Sequence, residues 1–520
     1  MKQDKTPLLD AINQLIDSKP AYFRIPGHRL DKGISSRWTK RTGTGIFAYD
    51  VTETPYTDDL HCPEGAIKEA QELLAELYKA DRSFFLVNGT TCGNEAMILT
   101  AVHEGQKIMV ARNAHKSAMM GLIISGAEPV YVMPDIIDEW GIQGGISPGQ
   151  VRKTFEGNPE CKALFMVSPS YYGVVSDIEE IARICHEYGA LLLVDEAHGG
   201  HVYFGDRSDA SFPKGALECG ADMCVQSMHK VTGALTQSSV LHVKLRNLKH
   251  QNVDNSIDID KLCANLHIVQ STSPNYILMT SLDCARYELA QNGKEMVLEA
   301  KRLCEYAREK INAISGFRCM GREILGEENS DKISKNSVCA IDTTRLVISA
   351  KDLGITGFEL DEILFTQYQV NMELSDFENV VAVVTYANTV MDMDRLVEAC
   401  RKISQNRCDV NKTASSNSIN KRLPGIPVQK LTPRQAYFTK AEEIDWKDSV
   451  GKISAEMIAP YPPGIPIIYP GEVISQEIWD YLEAFRRDGR HIHGSKDGKL
   501  NKINVCNPEG TKIDTNVLNI

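Results

Sequence analysis

The feature that most restricts the fold is an alternation, between residues 66 and 243, of short apolar runs with stretches of helical length. The apolar runs occupy residues 83–87, 107–111, 130–133, 163–167, 190–194, 223–226 and 239–243, and helical patterns occupy residues 66–79, 95–103 and 178–188. Parallel strands are buried on both faces, so they are expected as continuous apolar runs. Intervening helices supply the crossovers that such strands need. The sequence therefore predicts an α/β fold whose large domain is built on a mostly parallel sheet.

The rest of the chain is organised around this domain. A length of 520 residues favours two to four domains. The pattern predicts an N-terminal helix and arm at 1–65, the large domain at 66–281, a connecting helix with a small mixed α/β subdomain at 282–404, a linker at 405–423 and a smaller α+β C-terminal domain at 424–520. The linker is predicted because its sequence is rich in Ser, Asn and Lys.

Charge and composition exclude several classes of protein. The chain has 69 acidic and 57 basic residues, a formal net charge of −12. The negative electrostatic field of such a chain disfavours nonspecific nucleic-acid binding and suits a small cationic substrate. No apolar run has the length of a membrane span, and the first residues lack the core of a signal peptide, so we expect a cytoplasmic protein with no membrane partner. The 14 Cys are scattered without a CxxC pair, which indicates a reducing compartment and no metal site.

The first group of reactive residues follows the apolar run at 83–87 and reads NGTTCGN at 88–94. A strand, a loop of glycine and hydroxyl residues and a helix start form a natural cradle for phosphate. Free backbone N–H groups and the positive end of the helix dipole then face the anion, and the hydroxyls of Thr90 and Thr91 add donors. An ordinary strand-to-helix turn capped by Asn and Thr accounts for the same residues.

The second group is Asp195, Glu196, Ala197 and His198, at the carboxyl end of a predicted strand, where open α/β sheets place ligands. These letters also match the acidic box of some nucleotide-driven helicases, but that function needs a GxxxxGK[ST] loop, which this sequence lacks. His198 and His201 beside Asp195 are weak support for a metal site. Alternatively, Asp195 only caps the following loop.

The third group is Ser227, His229 and Lys230, just past the next predicted strand. An isolated lysine is usually solvated. Lys230, however, lies 35 residues after Asp195, so both side chains can project into one crevice. The three strand ends together fit pyridoxal phosphate: a lysine amine forms a Schiff base with its aldehyde, a carboxylate holds its pyridine nitrogen protonated, and hydroxyls and amides hold its phosphate. His115, after another predicted strand, would stack on its ring, or else is a capped loop residue.

Further motifs stand in a fixed order along the chain. They are FRIPGHRLDKG at 23–33, DDLHCPEGAIKEAQ at 58–71, RNAHKS at 112–117, SPSYYGVVSDI at 168–178, VDEAHG at 194–199, SMHK at 227–230, QSTSPNYILMTSLD at 270–283, LTPRQAYF at 431–438 and PYPPGIPIIYPGEVI at 460–474. Together with NGTTCGN they resemble the bacterial Orn/Lys/Arg decarboxylase family, which are fold-type-I pyridoxal phosphate enzymes. The chain is most similar to the shorter, arginine decarboxylase-like members without an N-terminal wing domain.

The resemblance implies roles for individual residues. Lys230 is the Schiff-base lysine, Asp195 the partner of the pyridine nitrogen and His115 the stacking residue. Further cofactor contacts are expected at Thr90, Thr91, Cys92, Ala197, His198, Ser227 and His229, although Cys92 departs from the large members, which have a hydroxyl residue there. Thr272 resembles a residue that reaches the neighbouring subunit's cofactor. Glu472, in the PGE motif, would meet the cationic end of the substrate or, alternatively, precede a helix at 473–481.

The resemblance also implies the activity. We expect decarboxylation of a basic amino acid, with arginine favoured over lysine and ornithine, to agmatine or a diamine plus carbon dioxide. Lys230 or His229 would deliver the proton. An aminotransferase of the same fold, or a DEAH-type nucleotide-driven protein, are the alternatives. A homodimer or larger homo-oligomer with active sites at the interface is expected, and the N-terminal apolar residues Leu8, Ile12 and Ile16 would pack in their own subunit or on the partner.

Overall fold

The computed structural model describes residues 2–209, 212–246, 257–325, 337–408, 424–460, 466–487 and 492–507. The α-helices are α1 (Pro7–Asp17), α2 (Ser36–Thr42), α3 (Ala66–Tyr78), α4 (Gly89–Ala101), α5 (Lys116–Ser125), α6 (Pro148–Gly157), α7 (Ile178–Glu187), α8 (Met228–Val231), α9 (Ile259–Val269), α10 (Tyr276–Asn312), α11 (Gly357–Tyr368), α12 (Val390–Cys408), α13 (Pro433–Phe438) and α14 (Gln476–Arg487). The strands are β1 (Arg82–Leu86), β2 (Lys107–Ala111), β3 (Glu128–Val132), β4 (Ile136–Ile137), β5 (Ile142–Gln143), β6 (Ala163–Val167), β7 (Val174–Val175), β8 (Leu191–Asp195), β9 (Met223–Gln226), β10 (Ser239–Val243), β11 (Arg318–Cys319), β12 (Ala340–Ile341), β13 (Arg345–Ser349), β14 (Leu374–Ser375), β15 (Asn379–Val383), β16 (Ala441–Asp445), β17 (Ala459–Pro460), β18 (Ile492–His493) and β19 (Lys502–Cys506).

Seven strands form the central sheet, in the order β1-β10-β9-β8-β6-β2-β3. The pairings from β9 to β3 are parallel, and β10 pairs antiparallel with both of its neighbours. Every residue of β8 is buried, with Leu191 and Leu193 entering the core on one face of the sheet and Leu192 and Val194 the core on the other. The predicted α/β fold with a mostly parallel sheet is therefore confirmed.

Helix α4 begins earlier than its apolar pattern predicts. It starts at Gly89, so residues 89–94 are its first turns rather than a loop before a helix at 95. A Cβ at Gly93 would lie 2.6 Å from side-chain atoms of both Leu86 and Val225. Only glycine at this position lets α4 pack directly on the sheet, and this close packing brings the start of α4 to the ends of the strands.

The small subdomain is joined to the large domain by one long helix. Helix α10 runs continuously from Tyr276, so the boundary predicted at residue 282 falls inside it. A second, antiparallel sheet, β11-β13-β15-β14, packs with α10, α11 and α12 around its own core. Helix α12 continues to Cys408, so the first residues of the predicted linker at 405–423 are helical and the remaining ones lie outside the described residues.

The C-terminal unit, described from residue 424 to 507, has a core of its own that includes Trp446, Ile458, Ile474, Leu482 and Ile503. Its strands pair as β16 with β19 and β17 with β18. Helix α14 starts three residues later than the helix predicted at 473–481. Residues 461–465 of the PYPPGIPIIYPGEVI motif lie outside the described residues.

Helix α1 packs inside its own subunit. Leu8 and Ile12 are fully buried in a cluster formed with α3 and α10, and Ile16 is partly buried against the same cluster. Of the two alternatives for these residues, packing within their own subunit is the one that the structure shows. In the described part of the chain, no helix combines the length and the apolar character needed to span a membrane.

Candidate active site

The ends of β8 and β9 and the starts of α4 and α5 converge at one edge of the central sheet. Asp195, the last residue of β8, is 3% exposed. Its Oδ2 accepts a hydrogen bond from Asn94 Nδ2 at 2.7 Å, and its Oδ1 accepts one from the Ala197 N–H at 3.1 Å. Both of these donors are neutral. Because a buried carboxylate is stabilised by a positive charge, the site favours a cationic group next to Asp195.

A chain of hydrogen bonds connects Asp195 to His115. The amide of Asn94 that contacts Asp195 also donates to Ser117 Oγ at 2.9 Å. Ser117 Oγ lies 2.9 Å from His115 Nδ1, which also accepts a bond from the Ser117 N–H at the start of α5. Since Nδ1 accepts, the neutral imidazole carries its hydrogen on Nε2. This network therefore fixes the orientation of the His115 ring relative to the carboxylate.

Lys230 contacts a neutral histidine. Its Nζ lies 2.8 Å from His198 Nε2 and 5.2 Å from the centre of the Tyr171 ring, and the Tyr171 and His198 rings are 4.3 Å apart. Burial lowers the pKa of Lys230, and the charge of Asp195 partly offsets this. Burial and the charge of Lys230 both hold the pKa of His198 well below its usual range. Lys230 can therefore donate to His198 and more readily becomes the uncharged, nucleophilic amine than an exposed lysine.

His229 points its Nδ1 at a backbone carbonyl, that of Ser238, at a distance of 2.9 Å. Because a carbonyl oxygen can only accept, Nδ1 carries the hydrogen and Nε2 has the lone pair. Burial lowers the pKa of His229, which favours this neutral form. His229 is therefore suited to accept a hydrogen bond at Nε2 and poorly suited to donate a proton.

Hydroxyl groups lie at the start of α4. The Thr90 and Ser227 hydroxyl oxygens are 3.2 Å apart. Thr90 and Thr91 lie in the first turn of α4, where the backbone N–H groups have no acceptor inside the helix. Cys92 does not join them. Its Sγ donates to the Gly89 carbonyl, the side chain is buried in the core, and burial raises the pKa of the thiol to about 12. The expected cofactor contact by the Cys92 side chain is thus not supported.

The small subdomain holds the segment that follows β8. Arg345, the first residue of β13, donates to the His198 carbonyl at 3.0 Å and pairs with Asp342 at 3.5 Å. Asp342 also pairs with His201 at 3.1 Å, and all of these side chains are buried. His201 is therefore engaged in a buried structural contact with Asp342. Within the described ranges, no group of three His, Cys, Asp or Glu side chains is placed to hold a metal ion.

Four contributors to this site were missed by sequence reasoning. Asn94, Ser117 and Tyr171 lie inside the quoted motifs NGTTCGN, RNAHKS and SPSYYGVVSDI, so the signal for them was the motif itself. Arg345 is 147 residues from its partner His198, and no local pattern connects the two.

Thr272 is exposed in the turn between α9 and α10. The turn is held by His61, whose Nε2 lies 2.9 Å from the Ser271 carbonyl oxygen. His61 in turn contacts His267, with ring centres 4.4 Å apart. The side chain of Thr272 is thus presented to the outside of the subunit.

Glu472 is buried away from solvent and cannot meet a substrate. Both of its carboxylate oxygens bind the guanidinium of Arg112, and Oε2 also accepts from the Tyr469 N–H at 2.7 Å. Its side chain is fully buried. The expected contact with the cationic end of the substrate is therefore wrong, because Arg112 already satisfies the charge. The alternative helix-starting role is also wrong, since α14 begins only at Gln476.

Glu196 faces away from Asp195 into the core. Its Oε1 accepts from the Ala216 N–H at 2.7 Å, and its Oε2 accepts from Gln226 Nε2 at 2.7 Å and from the Tyr203 hydroxyl at 3.1 Å. Burial raises the pKa of Glu196 from 4.5 to about 7 in spite of these donors. Its role is structural, and it makes folding stability depend on pH.

We expect Glu196→Gln to remove part of the pH dependence of stability. Between about pH 4.5 and about pH 7 the wild-type carboxyl is protonated when folded and ionised when unfolded. The folded state then binds more protons, so raising the pH through this window destabilises the wild type relative to the isosteric variant, by about 3 kcal/mol in total. Urea unfolding at several pH values measures the difference, with exposed Glu64→Gln as the control. Parallel curves for wild type and Glu196→Gln would contradict the assignment.

Comparisons with known proteins place the chain in a family. The family described as Orn/Lys/Arg decarboxylase, major domain, matches residues 6–392, and the Orn/Lys/Arg decarboxylase C-terminal domain matches residues 416–517. An arginine decarboxylase of Halalkalibacterium halodurans is 36% identical over 506 residues, covering 97% of this chain and 98% of the relative. An arginine decarboxylase of Bacillus subtilis is 35% identical over 505 residues, with the same coverage.

Solved structures show the same fold. Lysine decarboxylase A from Pseudomonas aeruginosa matches with a TM-score of 0.81 and 20% identity over 96% of this chain and 80% of that chain. A lysine decarboxylase of Francisella novicida matches with a TM-score of 0.80 and 21% identity over 97% and 81%. The fold, with a lysine and a buried carboxylate at adjacent strand ends, defines a fold-type-I enzyme of the pyridoxal phosphate class. The chain belongs to the Orn/Lys/Arg decarboxylase family.

Proposed function

We propose that this chain uses pyridoxal phosphate to decarboxylate arginine, in preference to lysine or ornithine. The observation that carries the proposal is the placement of the Lys230 amine and the buried Asp195 carboxylate at the ends of adjacent strands β9 and β8. Family membership supports the reaction. Four relatives named arginine decarboxylase are 35% to 37% identical to this chain, whereas relatives named ornithine or lysine decarboxylase are 23% identical and one named biodegradative arginine decarboxylase is 22% identical.

The residues present fit the cofactor. Asp195 is buried with neutral donors alone, and a protonated pyridine nitrogen supplies the positive charge that this arrangement favours. Lys230 offers an amine of lowered pKa for covalent attachment to the aldehyde. His115 presents a flat ring held by Ser117. The hydroxyls of Thr90, Thr91 and Ser227, with the start of α4, would hold the phosphate.

When bound, pyridoxal phosphate supplies an electron sink for the bond between Cα and the carboxylate. Asp195 keeps the pyridine nitrogen protonated, and the Asn94 amide and the Ala197 N–H hold the carboxylate in place. Because Asp195 is buried, its charge acts through a low dielectric and is stronger than in water. The chain's part in the reaction is therefore electrostatic and positional.

We assign the protonation of Cα to Lys230 rather than to His229. Nδ1 of His229 is committed to the Ser238 carbonyl, and its lowered pKa disfavours the form that carries a second proton. A Lys230 amine that is not bonded to the cofactor could carry a proton to Cα. His198, which contacts Nζ at 2.8 Å, keeps the amine oriented.

Glu373 is proposed as the carboxylate that meets the cationic end of the substrate. It lies directly before β14 of the small subdomain and is exposed. The proposal is supported by its charge, which raises the pKa of both Lys230 and His229 against the lowering by burial. Unlike Glu472, it has a carboxylate that is open to a ligand.

The test of the proposed function is product analysis with arginine, lysine and ornithine side by side. We expect carbon dioxide to be released fastest from arginine. We also expect a visible absorption band that borohydride reduction abolishes. Mass spectrometry should then find the reduced cofactor on the peptide that contains Lys230. Formation of a keto acid without carbon dioxide would instead identify an aminotransferase. Absence of the visible band in protein supplied with pyridoxal phosphate would contradict the proposal.

A cytoplasmic location is part of the proposal. The cysteines that the structure describes are all free thiols. Free thiols are typical of a reducing compartment.

We further propose a homodimer in which each active site receives Thr272 from the partner. Thr272 is exposed on the surface of its own subunit. Large apolar side chains of the N-terminal arm are also exposed, among them Phe23 at 87%, Trp38 at 58% and Tyr56 at 54%. Burial of these side chains against a second copy would remove an unfavourable apolar surface.

Subunit mixing tests the dimer. If Thr272 acts in trans, a dimer of one Lys230→Ala and one Thr272→Ala subunit has one site with both defects and one intact site. Random exchange makes half of the dimers mixed, so about a quarter of the wild-type activity should reappear from two impaired proteins. Each variant incubated alone is the control. An active monomer, or a mixture no more active than the average of its components, would contradict the trans arrangement.

A further inference from the structure

The C-terminal unit contacts helix α5 at both of its ends. At the start of α5, Arg112 of the large domain binds Glu472 of the C-terminal unit. At the end of α5, Arg434 of the C-terminal unit donates to the Ile124 carbonyl at 2.8 Å, and α13 packs along α5. His115 caps the start of α5, three residues after Arg112. The helix that orients His115 is therefore held from outside the large domain.

The contact at Arg112 has a well-defined geometry. Besides binding both oxygens of Glu472, the guanidinium donates to the Ile467 carbonyl at 2.8 Å. It also lies beside the stacked rings of Tyr131 and Tyr469, whose centres are 5.1 Å apart, at 4.7 Å and 4.5 Å from the two centres. The side chains of Arg112 and Glu472 are 2% and 0% exposed. The guanidinium is therefore held by its hydrogen bonds to Glu472 and Ile467 and by contact with two rings.

The main chain at Arg112 is fixed as well. Its N–H donates to the Val132 carbonyl at 2.8 Å, next to the end of β3. The Ala114 N–H donates to the Ala111 carbonyl at 2.9 Å, which closes the short connection from β2 to α5. The Arg112 side chain therefore projects from a short, hydrogen-bonded connection that leads directly to His115 and the start of α5.

A buried ion pair of this kind contributes little net stability to a fold. Desolvation of two charges offsets most of their attraction, and apolar residues of similar volume often stabilise a fold as well or better. What a bidentate arginine–carboxylate pair adds is directional contact. The placement of such a pair between two units, beside the residue expected to stack on the cofactor, indicates a role in positioning.

We propose that the C-terminal unit positions His115 over the cofactor through the Arg112–Glu472 pair, with Arg434 holding the other end of α5. The inference rests on the proposed pyridoxal phosphate function. It assigns Arg112 and Glu472 as positioning residues that act through His115, and it makes the C-terminal unit a working part of the cofactor site.

The test measures how the full-length protein binds pyridoxal phosphate. The variants are Glu472→Gln, which leaves Arg112 without its carboxylate, and the double variant Arg112→Met with Glu472→Met, which removes both charges and keeps a similar volume. For each we expect a rise in the cofactor dissociation constant of about tenfold, the effect of losing one aromatic contact. The visible circular dichroism band of the bound cofactor should also change, because it reports the orientation of the ring.

Two controls separate positioning from general loss of stability. Leu482→Ala creates a cavity in the core of the C-terminal unit without touching Arg112. It should lower the melting temperature and leave the cofactor dissociation constant and the dichroism band unchanged. In a His115→Ala background, Glu472→Gln should cause no further loss of cofactor affinity, because residues that act through one another are not additive.

Each outcome decides the inference. Wild-type affinity and dichroism in the Met–Met double variant would overturn it, as would full additivity with His115→Ala or an equal effect of Leu482→Ala. If the wild-type protein itself forms no visible band with pyridoxal phosphate, the proposed function fails and this inference with it. If the wild-type protein binds pyridoxal phosphate and the variants bind it equally well, only the positioning role is overturned.

Discussion

Replacement of Lys230 by alanine is expected to lower carbon dioxide release from arginine by roughly four orders of magnitude or more, while the fold is retained. Alanine can neither attach the cofactor nor carry a proton to Cα. The contact that the fold loses is the one between Nζ and His198 Nε2 at 2.8 Å. Because His198 is held neutral by its lowered pKa, loss of this contact does not leave a buried charge on His198. Carbon dioxide release and the melting temperature, measured on the same preparation, check both parts of the prediction.

The Lys230→Arg variant tests the loss of the nucleophilic amine separately from the loss of the positive charge. Arginine keeps a positive charge near Asp195 and His198, but its guanidinium stays protonated and does not attach to an aldehyde. We expect it to be as inactive as Lys230→Ala. Lys244→Ala, just after β10, is the matched control and should be fully active. A Lys230→Ala protein that retains a tenth of the wild-type rate would remove Lys230 from the mechanism.

Asp195→Asn is expected to lower the rate about 10³-fold while the cofactor still attaches to Lys230. A neutral amide cannot hold the proton on the pyridine nitrogen, so the ring becomes a weaker electron acceptor. The variant also disturbs its surroundings, because the Asn94 amide and the Ala197 N–H both donate to Asp195. An asparagine would turn its own NH₂ group towards one of these donors. The visible band should persist, and single-turnover release of carbon dioxide measures the loss.

The Asn94→Ala variant tests the loss of the hydrogen bond to Asp195 separately from the loss of the Asp195 charge. It removes the 2.7 Å bond to Oδ2 and the 2.9 Å bond to Ser117, but leaves the Asp195 carboxylate in place. We expect a smaller decrease in rate than for Asp195→Asn. A near wild-type rate for Asp195→Asn would mean that the reaction does not depend on a protonated ring nitrogen.

Local features of the sequence were sufficient for the sheet and for the principal pair of site residues. The apolar runs at 163–167, 223–226 and 239–243 coincide with β6, β9 and β10. Asp195 and Lys230 follow such runs, and the carboxyl ends of neighbouring parallel strands necessarily meet at one edge of the sheet. Hydrophobic periodicity predicts the strands themselves, and the sheet shows that β8 and β9 are neighbours.

The start of α4 and the role of Glu472 were not predictable in this way. Residues 89–94 contain two glycines and two threonines, which locally favour a loop, and packing of Gly93 against Leu86 and Val225 makes them helical. The motif around Glu472 resembles that of the family, but a motif does not reveal whether a carboxylate faces a ligand or an arginine. That depends on Arg112, which is 360 residues away in the chain.

The sequence by itself thus determined the α/β architecture, the family and the strand ends that carry Lys230 and Asp195, because each is encoded in residues close together in the chain. Only the tertiary structure decided the partners of these residues. The hydrogen bonds from Asp195 through Asn94, the support of His198 by Arg345 and the pairing of Arg112 with Glu472 all join distant segments. Side chains buried together must satisfy one another's charges and hydrogen bonds, and which ones meet is settled only when the elements pack.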